Sequence, residues 1–198
     1  MNYIDLSEIK SQKIIDTRLP DIFERGFIPG SINIGLKASF KDRMNHFFPN
    51  KDSEMIIISD QEKEVNELLI ELGYTHYKFL KNGIQAYKDS KLPIDVVISI
   101  STEEFELDLN YNEEFVLDVR TNEQFQTGHV IEALNIPLIE LENRLSELPK
   151  DKSIYVYCNG GNSSMVACSI LRKNKYHLVK NVYGGLNAIK QTKVPVVK

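Results

Sequence analysis

A cysteine, a pair of glycines and two serines lie within seven consecutive residues late in the chain. Cys158 ends the apolar run IYVYC, and NGGNSS follows it before the helical pattern of MVACSILRK. This order predicts a strand, a tight loop and a helix. Ligand sites of open α/β sheets lie beyond the carboxyl ends of strands, and a helix start presents unpaired backbone N–H groups. The segment is therefore a candidate anion-binding and catalytic loop.

The chemistry open to this loop is that of an activated thiol. Gly160 and Gly161 can adopt backbone angles that other residues avoid, so several amides can turn inward as an anion-binding nest. A thiol held there is biased toward the thiolate, the reactive form of cysteine. Such a thiolate can accept a sulfur atom as a persulfide and pass it on in a second step. The alternative is that Cys158 is a small, inert, buried residue at a strand end.

The chain contains two copies of one unit. Segment 14–34 matches segment 116–136 at an offset of 102 positions, and segment 73–87 matches segment 175–189 at the same offset. The recurring pairs in the first match are Asp16/Asp118, Arg18/Arg120, Phe23/Phe125, Gly26/Gly128 and Asn33/Asn135. Agreement at both ends of the unit indicates an internal duplication.

Each copy alternates strand and helix patterns. In the second copy, Phe115–Val119 and Ile154–Cys158 predict strands, and the leucine spacing in Leu138–Leu148 predicts a helix. The alternation predicts an α/β protein of two domains, each a mostly parallel sheet with helices on both faces. The polar stretch 88–92, which precedes a proline, predicts a boundary between domains 1–92 and 93–198.

Composition argues against several classes of function. The net charge is −4 and no basic stretch stands out, so nucleic-acid binding has no support. No apolar run is long enough to span a membrane, and no signal peptide is predicted. The two cysteines, ten residues apart, fit neither a disulfide framework nor a zinc site. We expect a cytoplasmic protein without a membrane or nucleic-acid partner, a metal or a cofactor.

The second half resembles a rhodanese domain in three motifs: DVR-x4-F-x2-GHV-x2-A-x-NIP, then YC-x-GG-x2-S, then a late GG-x2-A. The first half is similar to the same fold. Its GFIPGSINI segment resembles rhodanese repeats that follow a metallo-β-lactamase-fold module in persulfide-oxidising fusion proteins. The chain has no HxHxDH motif, so such a dioxygenase would be a separate partner. The resemblance implies a tandem sulfurtransferase that moves sulfane sulfur from a persulfide, polysulfide or thiosulfate donor to a thiol or cyanide-like acceptor.

Carried over residue by residue, the resemblance makes Cys158 the persulfide-bearing nucleophile. The substrate-binding loop would consist of Asn159, Gly160, Gly161, Asn162, Ser163 and Ser164, with the helix starting at the last of these. Ser163 takes the position that often holds Arg in this family, so the loop has no cationic side chain. A dianion such as thiosulfate would lack a charge-assisted contact. We therefore expect a persulfide or polysulfide donor to be preferred.

The first copy is predicted to be inactive. Asp60, at the end of the run IIISD, takes the place of the thiol, in a loop that the spacing predicts to be four residues shorter. A carboxylate cannot carry sulfane sulfur. We expect Asp60 to be a helix N-cap, because Asp accepts hydrogen bonds from the first amides of a helix, with orientation of the other half's substrate as the alternative.

Three residues of the second copy are expected to support the site. Asp118 and Arg120 end a neighbouring strand, where a salt bridge is expected, with substrate contact as the alternative. His129 of the GHV motif is expected to be structural, since Phe27 fills its place in the first copy, with a catalytic role as the alternative. Cys168 fits simple packing, with a resolving thiol as the alternative.

Two rival functions were weighed against sulfur transfer. A cysteine phosphatase needs an Arg six positions after the cysteine to bind phosphate, and that position is Ser164. A non-catalytic rhodanese-like sulfur carrier or protein-binding module is the stronger rival, because the uncharged loop is compatible with a fold that has lost turnover. Sulfur uptake and discharge that depend on Cys158 would separate these functions.

Overall fold

The structure is a computed structural model that describes residues 1–37, 39–111 and 114–198. The chain divides into a first unit, Met1–Val96, and a second unit, Val97–Lys198. Residues 93–96, which the sequence assigned to the second domain, pack in the first unit. The backbones of Asp95 and Phe27 exchange hydrogen bonds of 3.0 and 2.9 Å, and the Tyr87 hydroxyl donates to the Pro93 carbonyl at 2.9 Å.

In residues 1–37 and 39–96, the first unit has one five-stranded sheet and four α-helices. Its strands are β1 (Tyr3–Ile4), β2 (Lys13–Asp16), β3 (Ile32–Asn33), β4 (Met55–Ile58) and β5 (Tyr77–Leu80). Its helices are α1 (Pro20–Phe23), α2 (Phe40–Phe47), α3 (Glu62–Glu71) and α4 (Gly83–Asp89), with a 3-10 helix at Leu6–Glu8. The strand order is β1-β5-β4-β2-β3, and every pairing is parallel.

The second unit repeats this arrangement. Its strands are β6 (Ile98–Ile100), β7 (Phe115–Asp118), β8 (His129–Val130), β9 (Leu134–Asn135), β10 (Ile154–Tyr157), β11 (Val179–Val182) and β12 (Val196–Val197). Its helices are α5 (Thr102–Tyr111), α6 (Asn122–Gln126), α7 (Asn162–Lys173) and α8 (Gly185–Ile189). The main sheet is parallel in the order β6-β11-β10-β7-β9, and β8 pairs antiparallel with β12. The predicted α/β class with two parallel-sheet domains is confirmed.

The central strands explain why the sequence has short continuous apolar runs. All four residues of β4 and all four of β10 are buried, as expected for parallel strands covered on both faces. The two tyrosines of β10 keep polar partners: the Tyr155 hydroxyl donates to Asp108 at 2.5 Å, and the Tyr157 hydroxyl accepts from the Val130 amide at 3.1 Å. Burial raises the pKa of Tyr157, so this hydroxyl is neutral.

The helix predicted over Leu138–Leu148 is wrong. The segment forms two 3-10 helices, Leu138–Asn143 and Leu145–Glu147. Arg144 separates them with φ −116°, and its guanidinium binds Glu140 at 3.0 Å and Glu147 at 2.7 Å. A three-residue leucine spacing also suits 3-10 geometry, which has three residues per turn.

Candidate active site

The candidate site lies at the carboxyl end of β10, the central strand of the second unit. Residues 158–161, which we call the Cys158 loop, connect the end of β10 to the start of α7. Cys158 is buried, with 4% of its surface exposed, while Gly160 is exposed. The thiol therefore lies just beneath the surface, two residues before an open part of the loop.

Two groups contact the sulfur. The Gly161 amide donates to Cys158 Sγ at 3.1 Å, and the thiol lies 3.6 Å from the Ser164 hydroxyl oxygen, to which it donates. Gly161 is the N-cap of α7 and has φ +95°, a conformation that favours glycine. An N–H donor favours negative charge on the atom that it faces.

Backbone hydrogen bonds also hold the Cys158 loop from α8. The Leu186 amide donates to the Cys158 carbonyl at 2.7 Å, and the Asn187 amide donates to the Asn159 carbonyl at 3.1 Å. No motif in the loop itself predicts this support. The signal that could have revealed it is the late glycine pair, which begins α8.

The other predicted loop residues take up distinct places. Asn159 is half-buried, and its Oδ1 lies 3.5 Å from Arg120 Nη1. Asn162 is the first residue of α7, and Ser163 is half-buried. The prediction that Ser164 starts the helix is wrong: it is fully buried as the third helical residue, and its hydroxyl donates back to the Gly161 carbonyl at 3.1 Å. With its proton on this carbonyl, the hydroxyl oxygen accepts from the Cys158 thiol.

Asp118 and Arg120 form a buried ion pair at the end of β7. Arg120 Nη2 lies 2.5 Å from Asp118 Oδ2 and donates to the Gly128 carbonyl at 2.8 Å. Asn135 Nδ2 ties the same strand end by donating to the carbonyls of Asp118 and Arg120, both at 3.0 Å. Burial opposes the charge of Arg120, but hydrogen bonds and the charge of Asp118 hold its pKa above the ordinary value.

The first unit contains the same network. Arg18 Nη2 lies 2.6 Å from Asp16 Oδ2 and donates to the Gly26 carbonyl at 2.9 Å, and Asn33 Nδ2 donates to the carbonyls of Asp16 and Arg18 at 3.1 and 3.0 Å. Because a copy without the thiol keeps this network, its general role is to fix the strand end. In the second unit the guanidinium of Arg120 additionally reaches the Cys158 loop.

His129 packs against α6. Its ring stacks on Phe125 with centroids 3.6 Å apart, and its Nδ1 lies 3.1 Å from the Phe125 carbonyl oxygen. In the first unit Phe27 stacks on Phe23 in the same way, at 4.0 Å. A phenyl ring can therefore pack at this position as the imidazole ring does.

The first-unit residue at the position of the thiol is Ser59, and the prediction of Asp60 is wrong. Asp16 pairs with Ile58 as Asp118 pairs with Tyr157. The residue that follows the central strand is therefore Ser59 in the first unit and Cys158 in the second. Three residues connect β4 to α3 where four connect β10 to α7, and α3 has 10 residues where α7 has 12. The loop is thus one residue shorter, not four.

Asp60 is also not the predicted N-cap. The N-cap of α3 is Gln61, whose amide donates to the Ser59 hydroxyl at 2.9 Å, and Asp60 is exposed. A cavity of about 170 Å³ opens beside these three residues. The first unit therefore keeps a small recess at the equivalent place, with a hydroxyl instead of a thiol.

Cys168 lies in the middle of α7 with none of its surface exposed.

Among residues 1–37, 39–111 and 114–198, no group of three or more His, Cys, Asp or Glu side chains is placed to hold a metal ion. No helix in the described part of the chain is long and apolar enough to cross a membrane.

The two units share one parallel α/β architecture, and the second has a cysteine-led loop after its central strand. The family model described as "Rhodanese-like domain" matches residues 3–90 and 101–192. The chain therefore belongs to the rhodanese-like domain family, with two such domains in tandem.

Named relatives share parts of the chain. The protein "Sulfurtransferase" of Allochromatium vinosum is 36% identical over 70 residues, which are 35% of this chain and 65% of that protein. "Thiosulfate sulfurtransferase PspE" of Escherichia coli (strain K12) is 43% identical over 72 residues, which are 35% of this chain and 68% of that protein. The crystal structure of a rhodanese-related protein from Thermoplasma volcanium is 29% identical and covers 50% of this chain and 97% of that one, with a TM-score of 0.47. The alignment thus spans just under two thirds of the A. vinosum protein.

Proposed function

We propose that this chain is a sulfurtransferase that carries sulfane sulfur on Cys158 of its second unit. The observation that carries the proposal is the hydrogen bond from the Gly161 amide to Cys158 Sγ, at 3.1 Å. A main-chain donor aimed at sulfur at the start of a helix stabilises a thiolate and a persulfide anion alike. Membership of the rhodanese-like domain family supports the same class of reaction.

The proposed reaction has two displacement steps. In the first, the Cys158 thiolate attacks the terminal sulfur of a persulfide RS–SH. A bond forms between Cys158 Sγ and that sulfur, the RS–S bond breaks, and its electron pair leaves on the thiolate RS⁻. In the second, an acceptor thiolate attacks the same terminal sulfur, the bond to Cys158 Sγ breaks, and the Cys158 thiolate is regenerated. With cyanide as acceptor the products are thiocyanate, a proton and the same thiolate.

Ser164 has a part in this cycle. In the neutral thiol, the S–H donates to the Ser164 hydroxyl oxygen. Once the proton has left, the sulfur can accept a second hydrogen bond, and the hydroxyl can rotate from the Gly161 carbonyl, 3.1 Å away, toward the sulfur. The buried hydroxyl thus adds a second donor to that of the Gly161 amide.

The charge around the loop supports a persulfide or polysulfide donor over thiosulfate. Residues 158–164 contain no Lys or Arg, and the guanidinium that reaches the loop, that of Arg120, is paired with Asp118. A dianion would therefore bind without the charge-assisted bidentate contact that an unpaired Arg gives.

A metallo-β-lactamase-fold persulfide dioxygenase remains the partner that the motif resemblance suggests.

A sulfur carrier or binding module without turnover is the second candidate. The observation that favours it is the 4% exposure of Cys158, because a buried thiol restricts the approach of donor and acceptor. In that case the protein takes up one sulfur and holds it.

Steady-state sulfur transfer to cyanide tests the proposal, with glutathione persulfide and thiosulfate compared as donors. We expect a larger kcat/KM with glutathione persulfide, no transfer by Cys158→Ser, and near-normal transfer by the matched variant Cys168→Ser. Faster transfer from thiosulfate would overturn the donor preference. Transfer that survives in Cys158→Ser would overturn the site. Uptake of one sulfur without turnover would favour the carrier.

A further inference from the structure

The backbone of the Cys158 loop lies against the first residue of α8. Gly185 has φ +57°, and a Cβ at this position would lie 2.3 Å from the Cys158 carbonyl oxygen and 2.9 Å from the carbonyl carbon and oxygen of Asn159. These are main-chain atoms, which cannot rotate away as a side chain can. Any side chain at position 185 would therefore push the loop out of its place.

The same turn holds the loop through hydrogen bonds. The amides of Leu186 and Asn187 donate to the carbonyls of Cys158 and Asn159 at 2.7 and 3.1 Å. These bonds fix two successive peptide planes, and the chain then reaches Gly161, whose amide faces the sulfur. The position of the N–H donor to sulfur thus depends on the close approach at Gly185.

The first unit supplies an internal comparison. Gly83 starts α4 at the position equivalent to Gly185, 102 residues earlier, and its φ is +55°. A Cβ at Gly83 would meet no described atom within 4 Å. The two glycines share a left-handed backbone, but the tight contact with the strand–helix loop exists in the copy that has the thiol.

We propose that Gly185 is a positioning residue, and that its lack of a side chain sets the geometry of the hydrogen bond from Gly161 to the sulfur. The inference rests on the proposed role of Cys158 as the reacting thiol. Gly185 thus has a role in the reactivity of Cys158 beyond that of forming a turn.

The matched variants Gly185→Ala and Gly83→Ala test this proposal. Both place a Cβ on a left-handed residue, so both strain the backbone alike, but only Gly185→Ala crowds the loop. The rate of Cys158 alkylation by iodoacetamide is measured against pH by peptide mass mapping, beside the urea midpoint of each variant. We expect Gly185→Ala to slow alkylation at pH 7 by about tenfold to a hundredfold, as for a misplacement of about 1 Å, and to move the pH–rate profile to higher pH. Gly83→Ala should leave the rate of Cys158 alkylation and its pH–rate profile unchanged.

Equal alkylation profiles for the two variants would overturn the proposal. If Gly185→Ala does not fold, Asn187→Pro takes its place: it removes the donor to the Asn159 carbonyl at an exposed position in the first turn of α8. Slower alkylation in that variant supports the proposal, and an unchanged rate overturns it. A wild-type Cys158 that is alkylated readily but takes up no sulfur refutes the proposed function and leaves the positioning result intact.

Discussion

Removal of the Ser164 hydroxyl is the sharpest perturbation of the sulfur environment. This hydroxyl is fully buried and lies 3.6 Å from Cys158 Sγ. The change Ser164→Ala deletes one oxygen and leaves the Gly161 amide in place. We expect the reactivity of Cys158 toward glutathione persulfide to fall while the fold is kept.

The size of the effect follows from the contact. Hydrogen bonds to charged groups contribute about 1.5–3 kcal/mol. Ser164 Oγ and Cys158 Sγ are 3.6 Å apart, so we expect the hydrogen bond between them to contribute near the lower limit of this range. A loss of about 1.5 kcal/mol from the transition state corresponds to roughly a tenfold lower rate. The lost bond to the Gly161 carbonyl should also cost about 0.5–1.5 kcal/mol of stability.

The matched control is Ser169→Ala. Ser169 lies in the same helix, is equally buried, and donates to the carbonyl of Val166 three residues earlier at 2.7 Å. Single-turnover sulfur uptake and urea unfolding are measured for both variants. Both should lose similar stability, and only Ser164→Ala should lose reactivity. An equal rate for the two variants would refute the role of the Ser164 hydroxyl.

Three further predictions follow from the site and its inactive counterpart. Ser59→Cys, made together with Cys158→Ser, places a thiol at the equivalent strand end of the first unit but should take up no sulfur from glutathione persulfide, because its loop is one residue shorter; a gain of one sulfur in the intact mass of this double variant would contradict this. Arg120→Met leaves Asp118 buried without its partner and should lower the free energy of unfolding of the second unit by about 3–5 kcal/mol in urea titrations; a change below about 1 kcal/mol would contradict a structural ion pair. The 4% exposure of Cys158 predicts that small, neutral methyl methanethiosulfonate modifies it much faster than bulky, anionic Ellman's reagent, whereas equal rates would indicate an open site.

The fold was accessible to sequence reasoning because its signals are periodic and repeated. The duplicated motifs fix the two strand ends at Asp16 and Asp118, and continuous apolar runs mark the buried central strands. Segment Leu138–Leu148 was misjudged because a leucine repeat alone does not separate an α-helix from successive 3-10 turns. The ion pairs of Arg144, which mark the break, are tertiary information.

The site was predicted in kind but not in detail. The motif located the thiol and its glycines, but the sulfur environment depends on contacts from outside the loop, such as those of Gly185 and Arg120. The assignment of Asp60 instead of Ser59 came from aligning two apolar runs by their ends. The pairing of β2 with β4 corrects it by one residue, because register is a relation between two strands.

The measurement closest to the central claim is the mass of the intact protein before and after exposure to glutathione persulfide, followed by addition of cyanide. The account predicts a gain equal to one sulfur atom, located on the peptide that contains Cys158 and not on that containing Cys168, and its complete loss as thiocyanate. A protein that gains no sulfur at Cys158, or gains it equally after Cys158→Ser, would contradict the account.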